Sequence, residues 1–285
     1  MRKLITAAAL ALGLVLLIDV VFCDFTLHVR RQPIGDKPNG FADTTIQSRD
    51  GLRLSGWFAR PSGVFDNGNC VVVLHGIGDS RRGAAGFAPL FLNAGYSVLM
   101  PDSRAHGESG GNVVTYGVLE KDDVVRWAKW ARAQGCRKMF GLGESLGGAV
   151  LLEAAALEHF EAIVAECAYS DLRSIARYRI RQMTGLRPSI GGPVILETSL
   201  IFARFGYGVN LADGSPLESI RTLQTPVLLI HGLDDDRTPY YHSQRLALAN
   251  PAAQLWLVPL AGHTGAYTAA PAEFRRRVLG WFRRQ

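Results

Sequence analysis

The sequence predicts an α/β architecture with a mostly parallel central sheet and helices on both faces. Three observations predict it. Six apolar runs of strand length recur along the chain, at 70–76, 95–102, 137–143, 161–167, 225–232 and 253–260. Their centres are continuously apolar rather than alternating, as in strands covered on both faces. Segments of helical periodicity lie between them, the alternation that builds helix-covered parallel sheets. The chain has 285 residues, 48% apolar and 20% charged, which is globular composition and enough for one large core. It shows neither an internal repeat nor a second domain.

Taken in order, Arg2 and Lys3 precede the apolar stretch 4–22, LITAAALALGLVLLIDVVF. That is about the length a helix needs to cross a hydrocarbon core. Its single charge, Asp19, lies near the far end. A cleaved signal peptide and a retained anchor compete for this stretch, and the bulky DVVFC lacks a small-x-small cleavage site, which favours the anchor over 1–23. Cys23 invites lipidation, but Phe22 stands where a small residue is wanted. Basic residues flank both sides, so charge does not fix orientation. The resemblance to a signal sequence favours the exported, periplasmic side for the domain.

Residues 24–42 contain RRQPIGDKPNG and read as a polar linker to a domain over 43–285. In TTIQSRDGLRLSGWFARP, Asp50-Gly51 between two alternating runs signals a hairpin. Helices are expected over 117–135, stopped by Gly135, over 145–158 and 241–250, and over 271–284, which opens with Pro271. The stretch 172–218 is less regular, rich in Gly and Pro yet apolar, and fits a small cap inserted over one end of the sheet. Cys70, Cys136 and Cys167 lie at or beside buried strands and are expected as small buried hydrophobes rather than disulfides. No CxxC or Cys/His cluster offers a metal site, and no cofactor is called for. The net charge of +6 owes much to arginines near the C-terminus. Without zinc-finger or basic-zipper spacing it suits a solvated helix face or an anionic membrane surface, not nucleic acid.

The chemistry concentrates at Gly143-Glu144-Ser145-Leu146-Gly147, a G-x-S-x-G pattern set between a strand and a helix. A turn that sharp needs glycine at both flanks. It lifts the serine hydroxyl to a helix N-terminus, where developing negative charge is favoured. A serine needs a base and a carboxylate that orients it. Of seven histidines, His263 in PLAGHTGAY is best placed, in a loop after the last strand. His75, His106 and His231 read as structural, bonded to loop backbone. HGLDDDRTP after the preceding strand offers Asp234, Asp235 and Asp236. Asp102, Arg104 and His106 read as a network bracing the loops. Asp122 and Asp123 read as a helix face or a loop tie. Glu144 has no assigned task. Phe202, Phe205 and Tyr207 could line an acyl pocket or pack in a core.

SRDGLRLSGWF, VVVLHGIGDS, MPDSRAHGESGG, YGVLEKDDV, GESLGG, PVLLIHGLDDDRTP and GHTGAY occur in this order from about residue 43 to the end. In them the chain resembles the α/β-hydrolase superfamily, within it the serine-aminopeptidase-like and prolyl-oligopeptidase-like branch of small bacterial membrane-anchored hydrolases. The resemblance implies the nucleophile–acid–base order Ser145, Asp235, His263, with Asp235 the fifth position of its H-G-x-x-D pattern. It also implies an oxyanion hole from the backbone N–H of Leu146 and of Ile77. The expected activity is serine hydrolysis of a carboxylic ester or thioester, since the propeller of large oligopeptidases is missing. Peptidase or amidase activity by the same mechanism is the alternative, and a non-catalytic binding member a more distant one. The partners expected are a small-molecule, acyl or peptide substrate and, through residues 4–22, a membrane.

Overall fold

The computed structural model of the chain describes residues 13, 23–24, 26–63, 65–185 and 192–285. The apolar stretch 4–22, apart from Gly13, lies outside them. Among the described residues no helix is long and apolar enough to cross a membrane.

Eight strands form one sheet: β1 (Ala42–Gln47), β2 (Arg53–Ala59), β3 (Asn69–Leu74), β4 (Ser97–Pro101), β5 (Lys138–Glu144), β6 (Ala162–Glu166), β7 (Val227–Gly232) and β8 (Gln254–Val258). The spatial order is β1-β2-β4-β3-β5-β6-β7-β8. β1 and β2 are the hairpin signalled by Asp50-Gly51, and β2 runs antiparallel to β4. All pairings from β4 to β8 are parallel.

The centres of the parallel strands are apolar because their side chains feed two cores. On β3, Cys70, Val72 and Leu74 enter one core while Val71 and Val73 enter the other. The first core packs under α3 (Glu120–Ala133), α4 (Leu146–Ala155) and α8 (Tyr241–Ala249). The second packs under α1 (Arg81–Ala84), α2 (Ala88–Leu92), α9 (Ala266–Ala269) and α10 (Pro271–Arg283). Trp127 and Phe282, both almost fully buried, anchor the two sides. Burial of such a side chain contributes roughly 1.5–3 kcal/mol.

Three local readings change. The short helices α1 and α2 carry no sequence signal, because Gly83, Gly86 and Pro89 interrupt any helical period. The stretch between β6 and β7 is more regular than its composition suggests. It holds α5 (Leu172–Thr184), capped by the Asp171 carboxylate and closed by left-handed Gly185, then α6 (Gly192–Gly206) and α7 (Pro216–Arg221). Gly185, Gly192, Pro193, Gly206 and Pro216, which made it look irregular, stand at helix ends. The third change is chemical. Cys70 and Cys136 are not separate buried hydrophobes but a disulfide, their Cα atoms 5.6 Å apart. The pairing follows from β5 lying directly beside β3, with Cys70 opposite Met139. Cys23 and Cys167 are free and buried.

The described part of residues 24–42 lies against the domain at Leu27, Ile34 and Phe41. Leu27 is buried with Cys23 beside Leu172, Ala203 and Leu211. Ile34 and Phe41 pack against the second core.

Candidate active site

The site forms beyond the carboxyl ends of the strands, the usual ligand position in an open α/β sheet. β5 runs into α4 through Ser145, whose φ of 52° and ψ of −114° lie outside the regions open to most residues. Packing holds this strained turn. A Cβ on Gly143 would fall 2.4 Å from the Gly147 carbonyl oxygen, and one on Gly147 would fall 2.5 Å from that of Leu74. No other residue fits at either flank.

Three of the expected side chains meet. His263 Nε2 lies 2.9 Å from Ser145 Oγ, and His263 Nδ1 lies 2.8 Å from Asp235 Oδ2. The buried carboxylate is an acceptor, so Nδ1 carries the proton and Nε2 accepts from the serine hydroxyl. Of the three adjacent aspartates, Asp234 and Asp236 are exposed and Asp235 is buried. Its Oδ1 accepts the N–H groups of Arg237 and Thr238. Burial alone would raise the Asp235 carboxyl, but hydrogen bonds from His231 and His263 outweigh it and hold the group well below the usual carboxylate range.

Leu146 opens α4, so its N–H is among those without an intrahelical partner. The loop after β3 brings the backbone of Gly76 against Ser145, and a Cβ there would meet Ser145 Cβ at 3.3 Å. Ile77 follows directly and is 40% exposed. Leu146 and Ile77 thus belong to the two backbone segments that meet at Ser145.

The loops are braced from below. His75 donates from Nδ1 to the Gly76 carbonyl and accepts the Ser103 N–H at Nε2. His106 donates from Nδ1 to the Arg104 carbonyl and accepts the Gly78 N–H at Nε2, 3.0 Å away. Both rings are neutral in this arrangement, and burial with the neighbouring His75 pushes the His106 pKa down to about 4. Asp102 pairs with buried Arg81 at 2.7 Å, and Arg104 makes a two-pronged pair with Asp123. The network around Asp102, Arg104 and His106 is therefore a brace with Asp123 as a tie, while Asp122 faces Arg49 at the surface. Arg31 joins it from outside, its guanidinium bonded to the carbonyls of His106, Gly107, Ser109 and Gly111.

Sequence reasoning missed three contributors. His231 does more than bond loop backbone. Its Nε2 lies 2.6 Å from the Thr238 carbonyl and 3.2 Å from Asp235 Oδ2, so a second imidazole steadies the Asp235 carboxylate. Glu166 Oε1 accepts the Ala266 N–H, and Cys167 Sγ accepts the Thr264 N–H. Together they hold the loop that carries His263, while the Glu166 carbonyl accepts the Ser145 N–H. Cys167 reads from sequence as a small buried hydrophobe, and nothing local reveals its acceptor role. Cys167, His231 and Asp235 bring potential ligand atoms within 4.8 Å of one another. Each is already engaged in the bonds just described, so a cation would have to break the arrangement that holds His263. Phe202 and Tyr207 pack edge to face on each other beside Cys23 and Leu27, and Phe205 is 80% exposed.

Comparison with known proteins matches residues 71–277 to the family model described as the alpha/beta hydrolase family. The chain is 27% identical to the Bacillus subtilis protein YqkD over 98% of its own length and 96% of the relative's. It is 26% identical to YfhR of Escherichia coli K12 over 93% and 88% of the two chains. Among solved structures, an esterase from Pyrococcus furiosus aligns with a TM-score of 0.72 at 23% identity, over 91% of this chain and 98% of that one. Est1E from Butyrivibrio proteoclasticus, with ferulic acid bound, aligns at 0.65 and 16% identity, over 85% and 100%.

Proposed function

The chain belongs to the alpha/beta hydrolase family, and we propose that it is a serine esterase, cleaving carboxylic esters or thioesters through an acyl-enzyme on Ser145. The observation that carries this reading is the continuous line from buried Asp235 through His263 to Ser145 Oγ, with steps of 2.8 and 2.9 Å. His263 Nε2 takes the hydroxyl proton as Oγ attacks the carbonyl carbon. The oxyanion is held by the Leu146 and Ile77 N–H groups, where each donor is worth on the order of 10²–10³ in rate. Collapse expels the alkoxide or thiolate, which takes the proton from His263. Water then gives a proton to the same nitrogen, attacks the acyl carbon and releases the acid, and Ser145 recovers its proton. Asp235 stays ionised and stabilises the imidazolium.

The domain boundaries follow the same reading: 1–23 a retained membrane segment, 24–42 a connecting stretch, and 43–285 the hydrolase domain with its cap over about 172–218. The exported side is supported by the Cys70–Cys136 disulfide, since such bonds persist in oxidising compartments. That esterases share the fold supports ester over amide substrates. The test is a hydrolysis screen over nitrophenyl esters of graded chain length, acyl thioesters and aminoacyl amides, with Ser145→Ala as the blank. Ser145-dependent turnover of esters or thioesters is expected. Turnover of amides alone would replace the reading with a peptidase, and no Ser145-dependent turnover of any class would remove it.

A further inference from the structure

Helix α6 has two opposed faces. Leu196, Ser199 and Ala203 face inward and are buried. Val194, Ile201 and Phe205, spaced seven and four residues apart, share the outer face and are 51%, 57% and 80% exposed. The stripe is about 17 Å long at a helical rise of ~1.5 Å per residue. Three large apolar side chains in a row at that exposure mark a contact surface rather than ordinary solvent-facing positions.

The surroundings of α6 point to what covers it. Cys23 is seated on the inner side of α6, its Sγ 3.4 Å from the Ser199 carbonyl, and Leu27 packs beside Ala203. Tyr207 Oη adds a bond to Asp24. The apolar stretch 4–22 ends one residue before Cys23. A bilayer entered by that stretch is therefore reached within a residue of α6. The flanking charge fits as well. Arg177, Arg179 and Arg181 of α5 and Arg204 of α6 are exposed, whereas the one acid on these two helices, Glu197, is paired with Arg173. An exposed apolar stripe on a helix that carries Arg204 and packs on an arginine-rich neighbour suits the interface of an anionic bilayer.

We propose that the outer face of α6 rests on the lipid bilayer, with Val194, Ile201 and Phe205 in the acyl boundary. This goes beyond the catalytic reading but rests on residues 4–22 being a retained span. It has a consequence for substrate supply. α5 meets the loop of the acid, where Tyr178 Oη and Gln182 Nε2 both donate to the Asp236 carbonyl. The cap that touches lipid therefore adjoins the candidate site, which suits esters that partition into the bilayer.

The full chain carrying Phe205→Cys, labelled with a polarity-sensitive fluorophore, is reconstituted into phosphatidylcholine–phosphatidylglycerol vesicles. Leu248→Cys, at a residue 81% exposed on α8 outside the stripe, is the control. Cys23 and Cys167 are buried and do not compete for the label. A blue shift and quenching by brominated acyl chains at 205, with neither at 248, is the expected result. Chain that floats with the vesicles while the label at 205 stays in water overturns the face and leaves the span standing. A blue shift without lipid quenching means that a second copy covers the stripe, and overturns the proposal too. Chain that does not float overturns both span and face.

Discussion

Replacing His106 with Gln separates the two things this residue does. Its Nε2 accepts the Gly78 N–H in the loop that carries Ile77, and its buried neutral ring resists protonation. A glutamine oxygen keeps the acceptor and cannot titrate. Burial, helped by neighbouring His75, lowers the folded pKa from 6.5 to about 4. As pH falls below the unfolded value, the unfolded chain binds a proton that the native chain refuses. Stability from this group is therefore full above about pH 6.5 and is lost as pH falls toward 4. At about 1.4 kcal/mol per unit the loss is on the order of 3 kcal/mol. Urea unfolding followed by circular dichroism, repeated at intervals across that range, measures it for wild type and His106→Gln. Other groups titrate alike in both proteins and cancel in the difference. The wild type should lose about 3 kcal/mol more than the variant on acidification. His106→Ala should instead cost ~1–3 kcal/mol at every pH, because the Gly78 N–H is left unpaired. Parallel pH profiles for wild type and His106→Gln would refute the reasoning.

Two further outcomes are expected. Replacing Cys70 and Cys136 by Ala opens a loop of 66 residues, which should cost about 4 kcal/mol and lower Tm by roughly 10 °C; four titratable thiols in the unreduced, denatured wild type would show that the bond does not form. Glu166 gives the opposite pH sign to His106. Burial raises its pKa from 4.5 to about 7, the Asp235 charge adding to the effect, so its contribution is best below 4.5 and is lost as pH rises to 7. Glu166→Gln should remove that slope, and Glu166→Ala, which strips the Ala266 N–H of its acceptor, should lower kcat more than it raises KM. Unchanged kcat in Glu166→Ala would separate Glu166 from the positioning of His263.

The parallel strands were legible because both their faces are buried, which leaves runs such as CVVVL with no polar positions. Ser145 and His263 were legible for a related reason. Loops at strand ends are where such residues are exposed, and each has a recognisable strand before it. Asp235 was harder. Three aspartates in a row share one local pattern, and only the resemblance in phase with Thr238-Pro239 chose among them. The structure separates them by burial and by the two histidines that converge on Asp235. What stayed hidden depends on neighbours distant in sequence. The disulfide needs β3 beside β5, and the roles of Glu166 and Cys167 need the end of β6 to meet the loop after β8. The cap helices were hidden differently, by Gly and Pro that composition counts but does not place.

Mass spectrometry of the intact chain after exposure to a fluorophosphonate tests the central claim most directly. The reagent is attacked only by a serine that a base has activated. One adduct is predicted, located on Ser145, absent from Ser145→Ala and strongly slowed in His263→Ala. A folded wild-type chain that stays unlabelled, or an adduct that persists in Ser145→Ala, would contradict the account.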